Sequence, residues 1–360
     1  MPSHDAGAWR RELRHAVGSL FRLSPAPGPR WPIGLRAAVA MAVPIAVMTV
    51  LGRADLGFQA ATGAFVALYG THLPLLDRVR VLPFIAAGLL TAAVLGALAG
   101  PWTLATLIGL ALVTVAAAAV MFGFSVGPPG PLFVVLIFGL SAHVVASGAA
   151  AATYVAAVAC GILFALLVSL TPLLRARGRR GVARPLGQVL PGPALPPGRR
   201  LLLARVAIIT VLGIALGLVL DPDRVYWIVG AAVAVIGVSA DRRASFSRGL
   251  HRMIGTILGA GVFLVLGSVP WNPLLLALVL GVLQFTVELF VVRNYALALV
   301  FITPLVLLLT GAATASADTL AVAAERVVDT LAGAALGAIS GVLHPRAAET
   351  PAGPHAGASG

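Results

Sequence analysis

The sequence contains no lysine and only 12 acidic residues among 360, so charged residues make up just 10% of the chain. A soluble globular protein carries about 25% charged residues. By contrast, 59% of the residues are hydrophobic, and the mean hydropathy is +1.01. So much apolar surface cannot be buried in a soluble core, which predicts an all-α integral membrane protein in a lipid bilayer.

Other absences exclude whole classes of function. A chain without lysine cannot contain a Walker-type phosphate loop. No His-Glu-x-x-His, Cys-x-x-Cys or Gly-x-Ser-x-Gly pattern occurs. The single cysteine, Cys160, excludes an internal disulfide framework and a multi-thiol metal site. We therefore expect no enzyme: no catalytic residues, no metal and no cofactor.

Long apolar runs, separated by charges and Gly/Pro pairs, predict about twelve transmembrane helices, because each span needs roughly 20 apolar residues. The predicted spans are 36–52, 57–75, 81–99, 102–122, 131–147, 150–172, 203–220, 225–240, 252–268, 273–291, 295–311 and 320–343. The eighth is the shortest of the second half.

Arginines predict the orientation, because cytoplasmic loops retain positive charge. With the N-terminus inside, 22 of the 25 arginines fall on the cytoplasmic side, and only Arg53, Arg224 and Arg326 fall toward the other. This predicts a multi-pass protein of the plasma (inner) membrane with both termini cytoplasmic. The net charge of +13 is thereby explained by topology, and we expect no nucleic-acid partner.

Five segments follow from this pattern. They are a cytoplasmic N-terminal segment (1–35), a first membrane half (36–172), an Arg/Gly/Pro-rich cytoplasmic linker (173–202), a second membrane half (203–345) and a disordered tail (346–360). Within the first segment, Trp9, Leu13, Val17, Leu20 and Phe21 recur at helical spacing opposite arginines. This predicts an amphipathic helix at the membrane interface.

The two halves resemble one another. Arg36 opens the first span and Arg205 the seventh, and an aromatic residue follows 22 positions later in each case, Phe58 and Trp227. Six spans in each half bring both halves into the membrane in the same sense. The sequence therefore predicts two parallel six-helix repeats about an axis along the membrane normal.

The densest polar cluster within a predicted span is Glu325, Arg326 and Asp329. Charged residues at membrane depth are costly, and they often mark proton or substrate pathways. We interpret the two carboxylates as proton-coupling groups that Arg326 holds in place; the alternative is a half-solvated ion pair at the outer end. Glu288 is either a further relay carboxylate or a residue that reaches the membrane surface.

A second cluster, Arg248, His251 and Arg252, precedes a glycine-rich helix. Arg252 and His251 are candidates to attract an anionic substrate, although cytoplasmic retention of positive charge explains them equally well. The glycines, like Gly333 and Gly337, favour close helix packing. Packing within the chain and homo-oligomerisation both remain open for these strips.

Four runs of the second half resemble the fusaric acid resistance (FUSC) and aromatic acid exporter proteins. They are Tyr226-Trp227, Arg252-Met253-Ile254-Gly255-Thr256, Arg293-Asn294-Tyr295 before Phe301-Ile302-Thr303-Pro304, and Arg326-Val327-Val328-Asp329-Thr330-Leu331-Ala332-Gly333. The resemblance is clearest over 201–345 and fainter over 36–172, where both arginine motifs are missing.

This resemblance implies a bacterial inner-membrane exporter of aromatic or other amphipathic organic acids, driven by the proton gradient. From the same motifs, Trp227 and Tyr295 join Arg252 and His251 as substrate-binding candidates. Related plant proteins are anion channels, so a passive pathway is one alternative. The other is a membrane scaffold whose basic face binds anionic lipid or a partner protein.

Overall fold

The computed structural model describes residues 13–26, 28–174, 182–237, 242–314 and 319–343, and every regular element in these residues is helical. The helices are α1 (13–20), α2 (Trp31–Val50), α3 (Ala54–Ala61), α4 (Leu75–Ala99), α5 (Thr103–Gly123), α6 (Leu132–Ala146), α7 (Ala151–Leu170), α8 (Leu186–Val189), α9 (Pro197–Leu220), α10 (Val225–Ile236), α11 (Arg242–Gly267), α12 (Pro273–Phe290), α13 (Tyr295–Thr314) and α14 (Thr319–Ile339). The all-α class is confirmed for this part of the chain.

Eight of the described helices are long and apolar enough to cross a membrane: α2, α4, α5, α7, α9, α11, α12 and α13. Helix α6 has 15 residues, too few for a straight crossing. Helix α14 has the length but carries Glu325, Arg326 and Asp329. The chain is thus a multi-pass membrane protein, whereas the count of twelve spans stays a prediction.

The second helix of each half is short. Helix α3 continues as a 3-10 helix over Thr62–Leu68, and α10 ends at Ile236, so both stop before the ends predicted from hydropathy. Just beyond, the backbone turns at Gly70 (φ +63°) and Gly237 (φ +59°), a conformation that only glycine adopts readily. Nearly all residues of both segments are buried, so they lie within the protein and not against lipid.

An arginine from the following helix binds the carbonyl end of each short helix. Arg78 of α4 donates from Nε to the carbonyl oxygen of Tyr69 (3.1 Å) and from Nη2 to that of Ala67. Arg248 of α11 donates to the carbonyl oxygens of Val235 (2.9 Å) and Ile236 (2.8 Å). Helix ends leave carbonyls without partners, which is expensive at membrane depth. Both arginines, expected as cytoplasmic loop charges, therefore lie on helices and complete the fold.

The helices of the two halves pack in matching pairs. In the first half α4 packs on α6 and α7, and the 3-10 segment after α3 packs on α7. In the second half α11 packs on α13 and α14, and α10 packs on α14. The halves meet where α2 packs on α12 and α9 packs on α5. This is the pairing expected of related halves, and it supports the repeat, which itself stays a prediction.

The N-terminal segment lies across the ends of α12 and α13. The side-chain amide of Asn294 donates to the carbonyl oxygen of Leu20 (2.6 Å), and the backbone N–H of Ser24 donates to that of Arg293 (2.9 Å). The predicted amphipathic helix is described only from residue 13 onward, so Trp9 lies outside the described residues. Its interfacial position stays a prediction.

The predicted linker, 173–202, is partly folded. Arg184 donates from its backbone N–H and from Nε to the two carboxylate oxygens of Asp77 (2.9 and 2.6 Å), which fastens this segment to α4. Helix α9 begins at residue 197, inside the stretch expected to be a solvated connector. Residues 175–181 and the tail 346–360 lie outside the described part of the chain.

Candidate functional site

A cavity of about 410 Å³ lies between the two halves of the chain. Its wall from the first half is apolar and includes Phe65, Leu68, Phe133, Leu136 and Leu140. Its wall from the second half carries the polar residues Arg248, Arg252, Gln284, Glu288, Tyr295 and Arg326, together with Trp227. The rings of Phe65 and Phe133 stack at 4.4 Å between centroids. The face from the first half is thus largely apolar. The face from the second half carries the arginines among apolar residues such as Val287, Leu305 and Leu309, and we call it the cationic face.

Two arginines dominate the cationic face. The guanidinium carbon of Arg326 lies 4.1 Å from the centroid of the Trp227 ring, a cation–π contact. Arg252 donates from Nη1 to the hydroxyl of Tyr295 at 2.7 Å. Both arginines are buried, with about one-twentieth of their surface exposed. All four residues were predicted as site residues, and the structure brings them to one cavity.

Glu288 reaches the same cavity but has a partner from the N-terminal segment. Arg30 donates from Nη2 to a Glu288 carboxylate oxygen (2.9 Å) and from Nε to its backbone carbonyl (3.1 Å). The side chains are only 10% and 6% exposed. This ion pair ties the N-terminal segment to the end of α12. Neither predicted role of Glu288, relay or surface residue, anticipated this partner.

We expect Arg30→Gln and Glu288→Gln each to lower the free energy of unfolding by roughly 3 kcal/mol, because each leaves an uncompensated buried charge. The double variant should lose less than the sum of the two single losses. Thermal or denaturant unfolding of purified protein in detergent measures this. The pair Arg53–Asp55, with side chains more than half exposed, is the matched control, and its removal should change the stability little because water screens exposed charges. Equal effects at the two pairs would contradict the assignment.

A second, smaller cavity of about 20 Å³ lies beside Asp329. It is lined in part by His143, Arg224, Tyr226, Trp227 and Arg326. Its volume is sufficient for one water molecule. Asp329 is 1% exposed, and neither of its carboxylate oxygens receives a hydrogen bond from the described residues. A buried carboxylate without donors is an unusual and costly arrangement.

Asp221, at the end of α9, is an acidic neighbour of Asp329, and the two side chains lie within hydrogen-bonding reach of one another. One oxygen of Asp221 accepts from the backbone N–H of Arg224 (3.1 Å). The other receives no hydrogen bond from the described residues, but Nη1 of Arg224 lies 3.9 Å from it as an ion-pair partner. Two carboxyl groups in contact cannot both carry a negative charge cheaply. The geometry therefore provides a place where a proton can be held between two acids.

Two predicted residues lie outside both cavities. Glu325 forms an ion pair with Arg224, not with Arg326 as expected, and its side chain is 44% exposed. His251 receives a hydrogen bond from the backbone N–H of Ala296 (3.3 Å) at Nδ1, and its Nε2 lies 2.8 Å from the hydroxyl of Ser19. His251 thus joins α1, α11 and α13, while the neighbouring Arg252 faces the large cavity.

Arg326 and Trp227 line both cavities. They form the wall between the space that could hold an organic molecule and the space beside Asp329. No ion pair joins Arg326 to Asp329 in the described part of the chain, although one helical turn separates them on α14. The guanidinium of Arg326 can accordingly neutralise an anion on either side of this wall.

Several residues of the site were not singled out from the sequence. Phe65 and Phe133 come from the half without motifs, and nothing in their sequence surroundings distinguishes them from other apolar residues. Asp221 could have been noticed, since it is an acid at the very end of an apolar run, next to Pro222. Among the described residues, no group of three or more His, Cys, Asp or Glu side chains is placed to hold a metal ion.

These features define the class: a helical multi-pass membrane protein with an amphipathic cavity between two packed halves. Comparison with protein families then gives one match: residues 208–340 fit the family described as fusaric acid resistance protein-like. This confirms the resemblance seen in the motifs, and the matched segment contains every predicted site residue. The matched segment is a little more than a third of the chain and lies within its second half. Neither the curated proteins nor the solved structures gave a match.

Proposed function

We propose that the protein is a secondary transporter that exports aromatic or other amphipathic organic acids across the inner membrane, coupled to protons. The observation that carries this proposal is the two-faced cavity between the halves. Its stacked phenylalanines suit an aromatic body, and Arg252 and Arg326 suit a carboxylate. The volume of about 410 Å³ falls in the range typical of small-molecule sites, roughly 300–1,000 Å³.

Arg326 links substrate and proton in this proposal. An ionised Asp329 attracts the guanidinium toward the small cavity, and a protonated Asp329 leaves it available to the anion in the large one. Substrate and proton thereby act on the same cation from opposite sides of one wall. Asp221 assists by sharing the proton with Asp329, whereas Glu325, paired with Arg224 and half exposed, has a lesser part in this scheme.

The direct test is efflux of a hydroxybenzoate from proteoliposomes that contain the purified protein, with and without an imposed pH gradient. We expect a gradient-dependent flux above that of protein-free liposomes, which report leakage of the neutral acid through lipid. Asp329→Asn should abolish most of the gradient-dependent part, because an amide does not ionise near neutral pH and so cannot carry a proton through the transport cycle. The direction of gradient that accelerates efflux gives the sense of the coupling.

Asp223→Asn is the matched control. Asp223 is an exposed acid in the connection between α9 and α10, two residues after Asp221, and it lines neither cavity. It should transport like the unaltered protein. A flux that is the same with and without the pH gradient would contradict proton coupling and support the alternative of a passive anion channel. Folded protein that moves no acid from a panel would refute transport and leave the scaffold alternative.

A further inference from the structure

The charges that line the large cavity do not balance. Four arginines face it, Arg30, Arg248, Arg252 and Arg326, against one acid, Glu288. That acid is already engaged, since Arg30 binds it at 2.9 Å and Arg78 lies close enough to attract it as well. Glu288 is therefore not available to neutralise another cation.

Arg248 has its charge compensated in a different way. Its guanidinium donates to two backbone carbonyls at the end of α10. The carboxyl end of a helix carries a partial negative charge, so this position stabilises a cation. The other two arginines of the cavity wall, Arg252 and Arg326, form no ion pair with an acid among the residues that the structure describes.

Both of these arginines also have unused hydrogen-bond donors. Nε and Nη1 of Arg326 and Nε of Arg252 are buried and have no partner among the described residues. The two guanidinium groups are near enough to repel one another. Asp329, an acid one helical turn from Arg326 that attracts it electrostatically, lines the smaller cavity and not the large one. Two buried cations that repel each other, and that form no ion pair within the described part of the chain, are costly, and an anionic ligand can reduce that cost.

We propose that the cavity selects aromatic compounds that carry two negatively charged groups, such as benzenedicarboxylates, over aromatic monoanions. One anionic group binds Arg326 and the other binds Arg252, while the ring rests against Phe65 and Phe133. The inference rests on the proposed function and adds the charge of the substrate to it. Trp227 covers one face of the Arg326 guanidinium, and Nε and Nη1 remain without partners among the described residues. A carboxylate can accept a charge-assisted hydrogen bond from either donor.

The test compares ligands with the same ring and different charge. Benzoate, phthalate, isophthalate and terephthalate are titrated into the full-length protein by calorimetry, at a pH where every carboxyl group is ionised and in zwitterionic detergent without anionic lipid. We expect at least one dicarboxylate to bind about tenfold or more tighter than benzoate, because it makes a second charge-assisted contact that benzoate cannot make. Efflux from proteoliposomes should show the same order.

Variants then test which arginine binds each anionic group of the ligand. Arg252→Gln and Arg326→Gln should each bring the affinity ratio of dicarboxylate to benzoate close to one, because a single remaining arginine offers one charge-assisted contact to either ligand. Arg53→Gln, which removes an exposed arginine outside the cavity, should keep the full preference.

Three results would overturn the inference: benzoate binding as tightly as every dicarboxylate, two benzoates binding cooperatively in place of one dianion, or a preference that survives in both arginine variants. In each case transport of monoanions could still be observed, and the proposed function would stand. Absence of binding and of flux for all four acids, in protein shown to be folded, would instead overturn the proposed function itself.

Discussion

Replacing Arg78 with methionine is expected to destabilise the protein by about 3 kcal/mol. The guanidinium, 4% exposed, holds two backbone carbonyls at the end of the short segment after α3. Without it, both carbonyls stay buried with no donor, and each such group costs roughly 1–3 kcal/mol. The loss is measured as a lower midpoint of unfolding of the purified protein in detergent.

Arg80→Met is the matched control two residues away. Arg80 makes an exposed hydrogen bond to the backbone of Arg184, so its replacement should change stability by no more than about 0.5 kcal/mol. Arg248→Met should repeat the effect of Arg78→Met in the second half. Equal stability of the Arg78 and Arg80 variants would show that the carbonyls find another donor.

Gly161→Ala is expected to leave little folded protein. A Cβ atom at this position of α7 would overlap the backbone carbonyl oxygen of Ala60, and a backbone atom cannot move aside as a flexible side chain can. Overpacking costs roughly 1–3 kcal/mol where the neighbours can adjust, and more where they cannot. Gly333 of α14 meets the backbone of Ile228 in the same way. The yield of monodisperse protein after purification reports the effect.

The comparison for this variant is Gly88→Ala in α4, where a Cβ would meet nothing within 4 Å. That change should be neutral or mildly stabilising, since alanine favours a helix by about 1 kcal/mol over glycine. Gly261→Ala should behave likewise, because Gly261 is open although it belongs to a predicted packing strip. A normal yield of Gly161→Ala would show that α7 and α3 have room for a methyl group between their backbones.

The long helices were predictable because lipid imposes a length on apolar runs. Helices α4, α5, α7, α9 and α12 begin and end within a few residues of the predicted spans, apart from extensions at their basic ends. The short helices were not predictable in this way. Hydropathy cannot distinguish an apolar run that faces lipid from one that faces protein, so α10 was expected to continue past Ile236.

Some residues of the site could be predicted from the sequence and others could not. Arg252, Tyr295, Trp227 and Arg326 could be named because motifs mark them, and the cavity brings them together. Contacts between residues far apart in the chain could not be inferred. Arg30 and Glu288 are 258 positions apart, and no spacing rule connects them. Likewise, the charge of Arg78 predicted only a place in a cytoplasmic loop. Its burial against two backbone carbonyls depends on where the helical segment after α3 ends, which the sequence does not reveal.

The packing of α2 on α12 has a consequence for synthesis of the protein. Each of these helices packs more extensively on the other than on any other described helix, with Gly34 and Gly281 at close approach. Yet about 220 residues separate them along the chain. At a ribosomal rate of about 5–20 residues per second, roughly 10–45 s pass before α12 follows α2 into the bilayer. During that interval lipid must cover the face of α2 that later contacts α12. Helix α2 has a mean hydropathy of 2.0 and carries one charge, Arg36, so its composition suits it to remain in the bilayer before α12 is inserted.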